Sequence, residues 1–265
     1  PPYDPNRKCL VLDIDYTLFD HKWQPQVKSD LRSDKSMIPL FKRPYLHEFL
    51  ETCNSKYDII IWSATGMPAI DNKVGNLGIY TSSRYKLTAV FCKDHMIHVT
   101  KPRKGGRTFD ETVKPLSVIW KRFPEFYNPK NTVHIDDMVS NFQLNQGNGI
   151  HILPYKETST HPGDTELLYL TKYLMIIADT EPDFSTLPHR KWKEWLIDRL
   201  WSGQSRYSIP AHVPDPPLDK KYLLEPELPK SKKSAAAARP STPAGGDSSN
   251  SSSSSSNFLT MRSLL

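Results

Sequence analysis

Cysteine is scarce in this chain of 265 residues and is scattered along it. The three cysteines are Cys9, Cys53 and Cys92. They are too few for a disulfide framework, and their spacing is not that of a zinc site. We therefore expect the protein to work in a reducing compartment rather than in the secretory pathway.

Long hydrophobic runs are missing as well. No apolar stretch approaches the roughly 20 residues that a membrane-spanning helix needs, and the first residues do not have the pattern of a signal peptide. We expect no membrane partner. The first residue is proline rather than methionine, so we interpret the sequence as a fragment that lacks an amino-terminal domain.

The carboxyl-terminal segment has few apolar residues. From Ser208 onward Pro, Ser, Ala and Lys prevail, and residues 251–256 are all serine. Such a composition cannot bury enough apolar surface to fold alone. The sequence therefore predicts one globular domain over residues 1–205 and a disordered tail over residues 206–265.

Negative charge is in deficit. The chain has 35 Lys and Arg against 29 Asp and Glu, a formal net charge of +6 and a pI of about 9.1. This balance favours acidic or phosphorylated partners. A nucleic-acid partner rests on the charge alone and is the weakest of the interpretations.

Two aspartates follow an apolar run near the start of the chain. The run from Lys8 to Leu12 has the continuous apolar character of a strand covered on both faces, and Asp13 and Asp15 come directly after it. Open α/β sheets place their chemistry just past such strand ends. Two carboxylates this close repel each other unless a cation lies between them, and Mg²⁺ suits them because it leaves room for a substrate phosphate.

Three later segments bring further polar residues to predicted strand and helix ends. The run 57–65 is a second apolar strand that ends in Ser63, which either binds a phosphate oxygen through its hydroxyl and backbone N–H or merely caps a helix. Lys114 precedes a predicted helix over 116–123; it either holds a phosphate or neutralises a carboxylate, or is an ordinary lysine before a helix. The strand 131–137 ends in Asp136 and Asp137, as a metal site shared with Asp13 requires.

The remaining pattern predicts the rest of an α/β domain. Residues 21–39 are a flexible excursion, and Pro44 occupies the first turn of a helix over 43–50. The segment 98–107 is irregular and basic, a small insertion that either grips an acidic or phosphorylated peptide or is a solvated charged loop. Further elements are a helix over 67–77, strands over 85–91 and 148–154, and helices over 164–178 and 189–201.

One reaction fits these residues together. Asp13 attacks phosphorus and forms an aspartyl-phosphate, while Asp15 protonates the leaving oxygen and later activates water. Mg²⁺ neutralises charge, and Ser63 and Lys114 hold the non-bridging oxygens.

The same motifs resemble those of the haloacid dehalogenase superfamily. Over about residues 8–201 the sequence most resembles the ubiquitin-like domain-containing members of its FCP/SCP-like phosphatases. The segments that carry this resemblance are residues 12–21, 43–50, 61–65, 113–116 and 134–137. The resemblance implies a Rossmannoid three-layer sandwich with a central parallel sheet and no cap. It also implies a nuclear, possibly also cytoplasmic, Mg²⁺-dependent serine/threonine phosphatase whose substrates include the RNA polymerase II C-terminal repeat and proteasome subunits.

The resemblance also assigns roles to single residues. It implies that Mg²⁺ is held by Asp13, by the backbone carbonyl of Asp15, and by Asp137 or Asp136, with Asp137 favoured. It makes Thr17 a support for the motif loop or the phosphate. The basic segment 98–107, rather than the resemblance, is the reason to expect substrate contacts from Arg103 and Arg107, and Arg43 is expected to be a third such contact. A ubiquitin-like domain, which in the family docks on the proteasome, is absent from this chain.

Two other functions stay open at this point. A small-molecule phosphatase of the same superfamily shares every catalytic residue, although the span from Asp15 to Ser63 leaves little room for the cap that encloses a small substrate. A catalytically silent scaffold module need not keep the acid/base aspartate or the metal carboxylates, and all of them are present here.

Overall fold

The computed structural model describes Asp4 and residues 6–21, 42–156 and 163–201. The predicted excursion, apart from His21, and the predicted tail over 206–265 lie outside these residues.

A five-stranded parallel sheet forms the centre of the domain, as the apolar runs predict. The strands are β1 (Lys8–Leu12), β2 (Tyr57–Trp62), β3 (Leu87–Phe91), β6 (Thr132–Asp136) and β7 (Gly149–His151). Their order in the sheet is β3-β2-β1-β6-β7, and all four neighbouring pairs are parallel. Continuous apolar sequence suits strands that are buried on both faces, and residues 9–12 are indeed fully buried.

Helices cover both faces of this sheet. The helices are α1 (Leu46–Asn54), α2 (Met67–Asn76), α3 (Ser117–Arg122), α4 (Glu166–Thr180) and α5 (Trp192–Trp201). Helix α3 packs on the face that carries Cys9 and Val11, and the other four helices pack on the face that carries Leu10 and Leu12. The three-layer α/β sandwich predicted from the sequence is therefore confirmed.

In the described residues, none of the helices has the length and apolar character of a membrane-spanning segment.

The start of α1 differs from its prediction. The sequence places Pro44 in the first helical turn, but the helix begins only at Leu46. The reason is Tyr45, whose φ of 65° is left-handed and therefore cannot belong to a right-handed helix. Pro44 lies in the turn before it.

The segment predicted to be irregular is an antiparallel hairpin. Strand β4 (Ile97–Pro102) pairs with β5 (Thr108–Val113), and the turn between them contains Gly105 and Gly106, both with positive φ. The glycines supply the left-handed conformations that close the hairpin. Within the described ranges, this hairpin is the one second sheet, and it ends directly before Lys114.

Candidate active site

The order of the strands reverses between β1 and β6, and the acidic residues meet at that point. The backbone N–H of Asp13 donates to the carbonyl of Ile135 at 3.0 Å, so the chain leaving β1 stays against β6. One carboxylate oxygen each from Asp13, Asp136 and Asp137 lies within 4.8 Å of the others. In open α/β sheets such a reversal opens a crevice where ligands bind.

Lys114 lies inside this cluster of acids. Its Nζ donates to Oδ1 of Asp13 at 2.5 Å and to Oδ2 of Asp136 at 2.7 Å, and the side chain is 1% exposed. Burial opposes the charge of the ammonium, but the two carboxylates hold the pKa of Lys114 above its ordinary value. Pro115 follows and α3 begins at Ser117, which fixes the lysine at the end of the hairpin.

The three aspartates are not equivalent. Burial raises the pKa of Asp13 to about 7, although Lys114 pulls it down. Asp136 is also buried, yet the Lys114 ammonium keeps its pKa below the ordinary value. Asp137 is half-buried, and burial together with the neighbouring charge of Asp136 raises its pKa to about 6. The cluster therefore carries more negative charge than its one lysine neutralises.

Asp136 and Asp137 differ in their hydrogen bonds. The carboxylate of Asp136 accepts from the N–H of Met138 and from Nδ2 of Asn141, both at 2.8 Å, besides Lys114. The carboxylate of Asp137 accepts from no other side chain in the described part of the molecule. Asp137 thus keeps its oxygens for a ligand, which agrees with the preference stated from the sequence; its role as a metal ligand stays a prediction.

The donor set fits a hard divalent cation. Three carboxylates, all oxygen donors, converge within a few ångströms, and Mg²⁺ binds through one or two carboxylates while keeping waters and substrate oxygens.

Asp15 points to a partner that the sequence did not reveal. Both of its carboxylate oxygens accept from Nζ of Lys73, at 2.7 and 2.6 Å, and Nδ1 of His21 lies 3.3 Å from Oδ1. Lys73 lies on α2, 58 residues away in sequence. One lysine in a predicted helix carries no motif, so the only available signal was its place on a helix that follows the Ser63 segment.

Ser63 is buried at the end of β2, but one of its predicted roles is wrong. Its backbone N–H donates to the carbonyl of Phe91 at 3.0 Å as part of the sheet, so that group is not available to a phosphate. Its hydroxyl shares a hydrogen bond of 3.0 Å with that of Thr65.

Thr17 is fully buried, and its Oγ1 has no partner within the described ranges.

Arg43 is misassigned as a substrate contact. It is 1% exposed and forms a two-pronged ion pair with Asp164, at 3.0 and 2.9 Å. Its remaining nitrogen donates to the carbonyls of Thr17 and Leu153. Because every face of the guanidinium is engaged inside the protein, Arg43 ties the motif loop to the start of α4 rather than reaching a substrate.

Arg103 and Arg107 lie at the turn of the hairpin. The N–H of Arg103 donates to the carbonyl of Arg107 at 2.7 Å, and its guanidinium lies 4.5 Å from the centre of the Phe109 ring. At about 3.4 Å per residue, this turn is roughly 20 Å from the hairpin end at Val113. A contact with the flanking part of a long substrate stays a prediction for both.

Comparison with known proteins finds a matching phosphatase family and similar phosphatases. The model of the NLI interacting factor-like phosphatase family matches residues 8–185. The ubiquitin-like domain-containing CTD phosphatase 1 of Xenopus tropicalis is 43% identical over 200 residues, which are 75% of this chain and 58% of that protein. The Arabidopsis thaliana ubiquitin-like domain-containing CTD phosphatase is 41% identical over 200 residues, 75% of this chain and 54% of that protein.

The chain thus spans little more than half the length of these relatives. Among solved structures, that of Fcp1, an essential RNA polymerase II CTD phosphatase, is 15% identical, with a TM-score of 0.44, and covers 77% of this chain and 68% of that one. This structural similarity is too low to add to the fold description, which rests on the sheet order itself.

Proposed function

The chain belongs to the NLI interacting factor-like phosphatase family, and on that premise we propose that it is a Mg²⁺-dependent protein serine/threonine phosphatase. The membership confirms the resemblance found in its motifs. The observation that carries the proposal is the contact of Lys114 with both Asp13 and Asp136 at the strand-order reversal. This arrangement places the proposed nucleophile Asp13, the buried ammonium of Lys114 and the carboxylate of Asp137 in one crevice.

The first step transfers the phosphoryl group to Asp13. A carboxylate oxygen of Asp13 attacks phosphorus, the bond from phosphorus to the serine oxygen breaks, and its electron pair goes to that oxygen. Asp15, in its protonated form, supplies the proton that the leaving oxygen takes up. The products of this step are the dephosphorylated serine side chain of the substrate and an aspartyl-phosphate on Asp13.

The second step restores the enzyme. Asp15, now ionised, removes a proton from a water whose oxygen attacks phosphorus, and the bond to Asp13 breaks with its electrons returning to the carboxylate. Lys114 stays beside Asp13 throughout, and its ammonium offsets negative charge on the non-bridging oxygens. The hydroxyl of Ser63 is the second donor that we assign to those oxygens.

Asp13, Asp137 and the backbone carbonyl of Asp15 would hold the Mg²⁺. Bound there, the ion supplies electrostatic stabilisation of the charge shared by the phosphate and the carboxylates. Asp136 serves the site through Lys114 instead, because its oxygens are already occupied by Lys114, Asn141 and the N–H of Met138.

We propose phosphoserine proteins as the substrates. The relatives are named CTD phosphatases, and we propose the RNA polymerase II repeat and proteasome subunits as substrates of this chain and the nucleus as its location. In the described residues the one insertion with its own sheet is the small β4–β5 hairpin, which suits an extended peptide better than a small enclosed metabolite.

A comparison of substrates tests this proposal. The whole chain is assayed with Mg²⁺ on a phosphoserine heptad peptide and on a hexose phosphate. A value of kcat/KM at least about tenfold higher for the peptide supports the protein-phosphatase assignment. Preference for the sugar phosphate would move the assignment to the small-molecule phosphatases, and a folded protein inactive on both would indicate a scaffold module.

A further inference from the structure

The acid/base residue Asp15 is held by a single buried lysine. Nζ of Lys73 lies 2.7 Å from Oδ1 and 2.6 Å from Oδ2 of Asp15. The lysine side chain is 5% exposed, whereas that of Asp15 is 21% exposed. The side chain of Asp15 is thus partly exposed, while both of its carboxylate oxygens are held by a buried ammonium.

The position of Lys73 is itself well defined. It lies on α2, whose residues Ile70 and Val74 are buried in the main core. Its ammonium is 6.0 Å from the centre of the Phe19 ring, and Phe19 pairs through its backbone with Asp15 and accepts from the N–H of Tyr16. Lysine, ring and carboxylate therefore form one packed unit, which we call the Lys73 clamp.

The clamp restricts a side chain that is otherwise only partly confined. The side chain of Asp15 is 21% exposed, against 8% for that of Asp13. Because Lys73 donates to both carboxylate oxygens of Asp15, it limits the rotation of that carboxylate.

Resting on the function proposed above, we propose that Lys73 is a positioning residue that aims the Asp15 carboxylate at the leaving-group oxygen. Lys73 does not touch the phosphate; its ammonium contacts the two carboxylate oxygens of Asp15, so it acts through that residue. Proton transfer requires the donor oxygen to lie within hydrogen-bond reach of the leaving oxygen, and misplacement by about 1 Å reduces rates by roughly 100-fold. Lys73 supplies this placement from α2, an element that carries no recognised motif residue.

The leaving group separates positioning from a purely structural role. A serine alkoxide is a poor leaving group and needs the proton of Asp15, while p-nitrophenolate departs with little assistance. Phenol, with a pKa of about 10, lies between them. Loss of the clamp must therefore affect substrates in the order of their need for a proton, whereas general damage to the site affects all of them alike.

The experiment measures kcat/KM for p-nitrophenyl phosphate, phenyl phosphate and a phosphoserine peptide. The whole chain is compared with Lys73→Met, with Lys73→Gln, and with Lys121→Met, which changes an exposed lysine on α3. Asp15→Asn gives the profile of a site without its acid. Thermal melting of each variant reports its folding.

We expect Lys73→Met to lose about 10-fold to 100-fold on the peptide, a part of the roughly 100-fold to 10,000-fold that general acid catalysis contributes. On p-nitrophenyl phosphate the loss stays within about threefold, and phenyl phosphate lies between. Lys73→Gln, which still donates one hydrogen bond, shows the same order with smaller losses. Lys121→Met matches the unaltered chain.

Equal losses on all three substrates would overturn the proposal, as would unchanged kinetics. Failure of both Lys73 variants to fold would assign the lysine to stability alone and overturn it too. An unaltered chain that is inactive on every substrate would instead contradict the proposed function, so the two failures are distinguishable.

Discussion

The ammonium nitrogen of Lys114 lies 2.7 Å from Oδ2 of Asp136 and donates at the same time to Asp13. One lysine therefore joins the ends of two neighbouring strands, β1 and β6, where the order of the sheet reverses. Its ammonium places a positive charge between the carboxylates of Asp13 and Asp136. This arrangement leaves Asp137 as the carboxylate with free capacity.

Replacing Lys114 by Met tests whether the lysine and a bound Mg²⁺ both offset the negative charge of the carboxylates. Removal of one partner from a buried ion pair destabilises a protein by about 3–5 kcal/mol, and loss of one charged donor to the phosphate should lower kcat/KM by about 100-fold to 1,000-fold. Because the acids then lack their lysine, added Mg²⁺ should raise the melting temperature of the variant more than that of the unaltered protein. Scanning calorimetry with and without Mg²⁺ checks this, and a smaller rise in the variant would count against it.

Arg43 offers a test of a residue assigned wrongly from the sequence. Its ion pair with Asp164 is almost fully buried, so Arg43→Met should lower the free energy of unfolding by about 3–5 kcal/mol. Arg84→Met removes an ion pair with Glu51 in which the arginine is 47% exposed, and should change it by less than about 1 kcal/mol. Urea denaturation of both variants makes the comparison.

Substrate affinity completes the Arg43 test. Below its melting temperature, Arg43→Met should bind a phosphoserine peptide with a KM within about threefold of the unaltered value, because the guanidinium reaches no substrate. A stable Arg43→Met with a strongly raised KM would restore the contact predicted from the sequence.

His189 predicts a pH dependence of stability. Burial lowers its pKa to about 4, its Nδ1 lies 2.7 Å from the hydroxyl of Tyr173, and its Nε2 has no partner in the described part of the chain. Between about pH 6.5 and pH 4 the unfolded chain binds a proton at this residue and the folded protein does not. The free energy of unfolding therefore falls as the pH falls through this window.

The contribution of His189 is about 2 to 3 kcal/mol between pH 7 and about pH 4.5, at 1.36 kcal/mol per pKa unit. Over this interval the free energy of unfolding of His189→Phe should fall by about 2 to 3 kcal/mol less than that of the unaltered protein. For His98→Gln, which changes an exposed histidine, it should fall as much as in the unaltered protein. Parallel slopes for His189→Phe and the unaltered protein, from urea denaturation at the two pH values, would refute the assignment.

The sheet and the acidic cluster were predictable because each depends on local sequence. A buried parallel strand is a continuous apolar run, and Asp13 and Asp136 follow directly from the ends of such runs. The hairpin was missed because β4 and β5 lie mostly on the surface. Their alternation is weak, and the two adjacent glycines at the turn fit an irregular loop as well as a hairpin.

The partners of the site residues were not predictable in the same way. Lys73 meets Asp15 across 58 residues, and Arg43 meets Asp164 across 121. Such contacts depend on how helices dock on the sheet, and a single Lys or Arg in a helix or loop carries no pattern that marks it. For the same reason the sequence predicts a substrate contact from Arg43, whereas in the structure this arginine is buried against Asp164.

The most direct test of the account is hydrolysis of p-nitrophenyl phosphate and a phosphoserine heptad peptide by the whole chain, with Mg²⁺ or with EDTA. Asp13→Asn is measured beside it, with Asp198→Asn as an exposed aspartate on α5 for control. The account predicts activity on both substrates that is lost with EDTA, falls by at least about 1,000-fold in Asp13→Asn, and is unchanged in Asp198→Asn. Activity that survives in Asp13→Asn, or its absence from the folded unaltered chain, would contradict the assignment of Asp13 as the nucleophile of a metal-dependent phosphatase.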